Sequence, residues 1–294
     1  MTAPLAAQAH PHRTDGPVTC LNCDHTYVGQ YCNQCGQRAD THPVNWHYIW
    51  HEIPHSVWHV DRGILFTLRQ LLTRPGHTIR EFLQGKRVNH YRPLALLLML
   101  GALVVFAQHS LGVNLFEQTK RVFGTSSADQ SARLQLFQQQ VAHFQEKNQT
   151  LLRIATIPLY ALWFWLLFRR YGYNYPEHLV AQTFIANFGL IVSLSVLVLF
   201  WAMGGSATAY ALVMSLTMLA IVVYNVIVYR SLFRNKLPSR SVISRAVAAY
   251  VLSYLSFMLV GGLVGALYVV IYKDEIKNDL HKPKPAVTVE QSHR

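Results

Sequence analysis

The chain has 294 residues, of which 51% are hydrophobic and only 14% charged, with a formal net charge of +12. So few charges among so many apolar side chains argue against a soluble domain and toward the bilayer. The excess of Lys and Arg then becomes a topology signal rather than a solubility device.

Residues 1–17 are polar, rich in His and Pro, and read as a disordered N-terminus. Residues 18–38 hold every cysteine of the chain, Cys20, Cys23, Cys32 and Cys35, as two C-x2-C pairs. Each pair can turn as a knuckle that points two sulfurs at one ion, and two knuckles close a tetrahedron around Zn2+. Gly29 and Gly36 stand where such turns need positive φ. A rubredoxin-type iron site uses similar pairs, and an oxidising compartment would close two disulfides. The lack of a hydrophobic secretory run before Cys20 favours a structural zinc ribbon. Four sulfurs leave no open position for catalysis, and His25 reads as a turn residue. Residues 18–40 carry Arg38 as their only cation beside Asp24 and Asp40, which is no electrostatic footprint for a nucleic-acid backbone, so a protein rather than a nucleic acid is the expected partner.

Residues 44–92 form a juxtamembrane region. His47, His51, His55 and His59 recur every four residues beside Trp46, Trp50 and Trp58. Helical histidines at that spacing can share a metal, but Pro54 interrupts the stripe, and an amphipathic helix at headgroup level explains the tryptophans. Residues 61–93 read as two short amphipathic helices broken at Pro75-Gly76, with Leu65, Leu68, Leu71 and Leu72 on one face and Ile79, Phe82 and Leu83 on another. Arg74, Arg80, Lys86, Arg87 and Arg92 are expected to meet anionic headgroups, at about 1 kcal/mol per residue; ordinary topogenic charge accounts for the same residues.

Five apolar runs follow within 93–272, at about 93–112, 151–169, 179–203, 208–229 and 246–272, and all fourteen acidic residues lie outside them. Pro158 should kink the second run. Basic residues precede the first run, follow the second (Arg169, Arg170) and fill the loop between the fourth and fifth (Arg230, Arg234, Lys236, Arg240, Arg245). That pattern predicts a cytoplasmic N-terminus, with the side of the polar tail 273–294 depending on whether four, five or six spans cross. The loop 113–150 carries Leu134, Phe137, Val141 and Phe144 at helical spacing.

The fold class is therefore an all-α polytopic membrane protein with a small N-terminal zinc-ribbon module. Polar groups inside the runs are few. Gln182, Asn187 and Asn225 would line a transporter or channel, and no run holds Asp, Glu or an interior His. Glu177-His178, and Glu52 with the histidine stripe, are the only candidates for an enzyme. A non-catalytic membrane protein acting in interaction, membrane organisation or assembly fits best. Gly261-x3-Gly265 permits close helix packing, compatible with a homo-oligomer.

The chain resembles a bacterial membrane family catalogued as domain of unknown function 3667. The likeness is carried by Cys20-x2-Cys23, Gly29-x-Tyr31-Cys32-x2-Cys35-Gly36-Gln37, Asp61-x-Gly63, Thr67-x3-Leu71-Leu72-x2-Pro75-Gly76 and Glu81-x3-Gly85-Lys86-Arg87. It implies the domain arrangement, at the inner membrane, and no activity. A looser architectural similarity is to five-span Yip1-like membrane proteins.

Overall fold

A computed structural model describes residues 16–39, 41, 44–46, 48–49, 63–113, 144, 148–203 and 206–271. A small hairpin comes first. Strand β1 (Val18–Thr19) pairs antiparallel with β2 (Thr26–Tyr27), with Val18 opposite Tyr27. Seven α-helices follow among the described residues: α1 (Gly63–Thr73), α2 (Pro75–Leu83), α3 (Pro93–Ser110), α4 (Gln149–Phe168), α5 (Tyr175–Ala202), α6 (Ala207–Leu232) and α7 (Ser239–Ile271).

Helices α3 to α7 are each long and apolar enough to cross a membrane. The charge-based boundaries place two helix starts too late. Helix α5 begins at Tyr175 rather than 179, because Asn174 accepts from the Glu177 amide while Glu177 accepts from the Asn174 amide, a complete capping box. Helix α7 begins directly after Pro238, with Arg240 and Arg245 inside its first turns. Arg245 remains satisfied there, donating to the Leu167 carbonyl at 2.8 Å.

These longer helices set a level difference. The Asn187 amide donates to the Pro93 carbonyl at 2.9 Å, tying the start of α3 to the thirteenth residue of α5. At 1.5 Å per residue, about 18 Å of α5 extends beyond the point where α3 begins. This basic end of the bundle carries Arg169, Arg170, Arg230, Arg234 and Lys236, and it holds the best-packed core. Phe164, Phe168, Phe184, Tyr229 and Phe233 are fully buried there. The opposite halves of α6 and α7 leave Leu212, Leu216, Leu219, Leu255, Leu259 and Leu263 exposed, as a lipid-facing surface requires.

Helices α1 and α2 pack into the basic end. The break between them falls at Arg74, and Pro75 opens α2, where a missing N–H costs nothing. Gly76 crosses α6 so closely that a β-carbon there would lie 2.1 Å from the Ser231 β-carbon. Ile79, Phe82 and Leu83 are buried as their spacing predicts. The face predicted for α1 needs correction. Thr67 and Leu71 are buried and Ile64 and Leu68 pack beside them, whereas Leu65 is 79% and Leu72 55% exposed. Two polar contacts select this face: Thr67 accepts from the Tyr91 amide at 2.7 Å, and the Tyr224 hydroxyl donates to the Leu71 carbonyl at 2.9 Å.

Candidate metal centre

The two C-x2-C pairs fold into matching knuckles. In the first, the Cys20 amide donates to the His25 carbonyl and the Asp24 amide donates back to Cys20. In the second, Cys32 and Gln37, then Gly36 and Cys32, repeat both bonds. The residue after each pair must take positive φ, and it does: Asp24 at 58° and Gly36 at 78°. Sequence reasoning finds the glycine and misses the aspartate, although Asp is among the few other residues that tolerate this region.

The knuckles bring all four sulfurs within 4.8 Å of one another. Cys20 and Cys35 stand 3.5 Å apart and Cys23 and Cys32 3.6 Å apart, far beyond a disulfide bond of about 2.05 Å. Sulfurs about 2.3 Å from a tetrahedral zinc lie about 3.8 Å from each other, so the set fits a metal with little movement. Iron would fit similarly. Desolvation opposes ionisation of Cys32, but the Cys35 and Gln34 amides and the neighbouring thiols together bring its pKa down to about 6. At Cys23 the His25 amide favours the thiolate, yet desolvation and the other three sulfurs prevail and push the thiol up to about 12. A bound cation would ease that conflict, because it favours the thiolate form of all four cysteines and offsets part of their mutual repulsion.

The module is docked onto the chain's own juxtamembrane turn. Gln37, 4% exposed, donates through Nε2 to the Gly85 carbonyl at 2.8 Å and accepts the Arg87 amide on Oε1 at 3.2 Å. Gly85 has φ +96°, and a β-carbon there would meet Leu21 of the first knuckle at 2.8 Å. Both knuckles therefore touch the turn that follows α2. No local pattern announces a contact across 48 residues, although Gln37 and Gly85 stand in the quoted motifs.

The basic residues predicted for headgroups separate into groups. Arg80 donates to the Ser231 hydroxyl at 3.1 Å, and the Arg87 guanidinium lies 4.3 Å over the Tyr48 ring and 5.2 Å over Phe82. Lys86 lies 4.0 Å from Glu81, Arg74 is exposed, and Arg92 lines a cavity described below. Trp46 is half exposed and packs 5.5 Å from Tyr175. Trp50, Trp58 and the histidines at 47, 51, 55 and 59 lie outside the described residues, as do the N-terminus, the tail from 272 and most of the loop 113–150.

Of the three amides predicted to line a membrane site, two meet. Gln182 donates to Asn225 and to the Tyr229 hydroxyl, both at 3.3 Å, whereas Asn187 turns to Pro93 on another face. His178 completes the Gln182 cluster, 2.9 Å from the Tyr229 hydroxyl and only 2% exposed. The capping box starts α5 early enough to take His178 into the helix, in the stretch that extends beyond the start of α3. Glu177, the other residue of that pair, is the third-residue partner of the Asn174 cap in the capping box. Gly261 faces open space, with no neighbour within 4 Å.

Fold and site define a multi-pass membrane protein with an N-terminal four-cysteine metal module. The family model described as "Protein of unknown function (DUF3667)" matches residues 61–105, which contain α1, α2, the turn that Gln37 grips and most of α3. No curated protein and no solved structure matches the chain, and the likeness to Yip1-like proteins is not shown.

Proposed function

We propose that this chain is a non-catalytic membrane protein whose structural zinc ribbon braces the juxtamembrane helices against the bundle, giving a rigid surface for protein interaction in membrane assembly or organisation. The observation that carries the reading is the Gln37 carboxamide, buried and bonded to both sides of the 85–87 turn. A zinc ribbon too small to hold a hydrophobic core is stabilised by its metal, and here that stability is transmitted to α2. The basic end, with Arg169, Arg170, Arg230, Arg234 and Lys236, supports placing the N-terminal module in the cytoplasm of a bacterial inner membrane. Closed coordination supports a non-catalytic role, and anionic headgroups are the lipid partners that the basic surface favours.

The test uses full-length protein in nanodiscs. Wild type should carry about one zinc per chain and Cys32→Ser should lose it; iron in its place contradicts the assignment. Gln37→Ala should keep the zinc while residues 84–90 exchange amide hydrogens faster. Unchanged exchange in that variant would defeat the brace.

A further inference from the structure

Where α3 enters the bundle, a cavity of about 220 Å³ opens between the helical residues Tyr48 and Ile49, the first residues of α3, the Pro158 region of α4 and one face of α5. Its wall is apolar, built from Ile49, Leu94, Ile157, Pro158 and Val180, with Arg92 as the one charged residue among the described lining. The Thr183 hydroxyl is already spent on the Leu179 carbonyl at 2.8 Å, so it offers little to a polar guest. Arg92 is the N-cap of α3, and Arg87 lies over the Tyr48 ring of the same wall at 4.3 Å. The mouth thus pairs an alkyl-sized hole with guanidinium charge at the level where the chain passes into the bilayer.

We infer that this cavity holds one acyl chain of an anionic phospholipid, with the lipid phosphate at Arg92. A soluble polar ligand would find almost nothing to pair with inside. A neutral apolar ligand would make no use of the cation at the rim. Basic pockets between membrane helices on the cytoplasmic side take anionic headgroups for this reason, and an apolar pocket with few convergent polar groups is a typical small-ligand site. The inference rests on the headgroup reading above and gives it one place on the protein.

Full-length protein is delipidated in detergent, then returned to nanodiscs of phosphatidylcholine with or without phosphatidylglycerol. Native mass spectrometry counts the lipid retained on release. Wild type should retain one phosphatidylglycerol in preference to phosphatidylcholine. Arg92→Gln should reduce that preference about fivefold, the worth of one basic residue near a headgroup. Ile154→Trp, which fills the cavity, should abolish retention of either lipid, with zinc content and helicity confirming the fold. If both variants behave as wild type, the site is overturned while general headgroup attraction survives. A wild type that prefers phosphatidylcholine, or shows no preference, overturns both. A wild type that retains no phospholipid, whether the cavity stays empty or residues 50–62 fill it, also overturns the site.

Discussion

Replacing Gly76 with alanine tests the seat of α2 on α6. In an isolated helix the change would stabilise by about 0.5–1 kcal/mol, because alanine loses less backbone entropy on folding. Here the new β-carbon would lie 2.1 Å from the Ser231 β-carbon, 2.5 Å from its hydroxyl and 3.2 Å from the Val228 carbonyl. Carbon atoms prefer about 3.5–4.0 Å, so the helices must separate by about 1.5 Å, and a β-carbon cannot swing aside as a side-chain tip can. Overpacking of this kind costs about 1–3 kcal/mol; taking the upper end and subtracting the propensity gain leaves a net loss of about 2 kcal/mol. Ser231→Gly removes the two closest atoms and leaves only the 3.2 Å approach to Val228. The double variant should therefore recover most of the loss, beyond what the two single variants add up to. Denaturant unfolding in detergent micelles, followed by circular dichroism, reads all four proteins. A Gly76→Ala protein as stable as wild type, or a double variant with purely additive effects, would refute the close crossing.

Tyr224→Phe should cost about 1–2 kcal/mol in the same assay, since it leaves the Leu71 carbonyl without its donor. Asn174→Ala should cost about 1 kcal/mol, through loss of the capping box and of the bond to the Val44 carbonyl, and exchange should rise in the first turn of α5. His90 supplies a pH prediction. Burial lowers its pKa, against the Glu81 carboxylate 3.5 Å away, and its Nδ1 has no partner among the described residues. Below about pH 6.5 the unfolded chain takes up a proton that the folded protein resists, so this contribution is present above that pH and is lost as the pH falls toward the lowered folded value. A thermal-unfolding series from pH 7.5 to 5 should show the decline, and His90→Gln should flatten it.

The five apolar helices were legible from hydropathy because each must match the ~30 Å hydrocarbon core, whatever its neighbours are. The cysteine knuckles were legible because thiol spacing and turn glycines are local. What spacing could not give was depth. Arg240 and Arg245 look like the end of a membrane run, yet they belong to a helix that projects beyond it, because a carbonyl of a neighbouring helix satisfies Arg245. The inner face of α1 was misread for a related reason. Leucine count favoured Leu65 and Leu72, while hydrogen bonds at Thr67 and Leu71 decide which face turns inward. Gln37 enters the sequence reading only as the last residue of a family motif, and its partners 48 and 50 residues away give it a role.

The most direct test of the brace removes the metal and watches the turn it holds. Hydrogen exchange across residues 75–92 is followed in full-length wild type in nanodiscs, before and after chelation, with zinc counted in each sample. The account predicts about one zinc per chain at the start. It also predicts that protection falls first at residues 84–90 and then along α2 once the metal is gone. Complete loss of metal with unchanged exchange over 75–92 would contradict it.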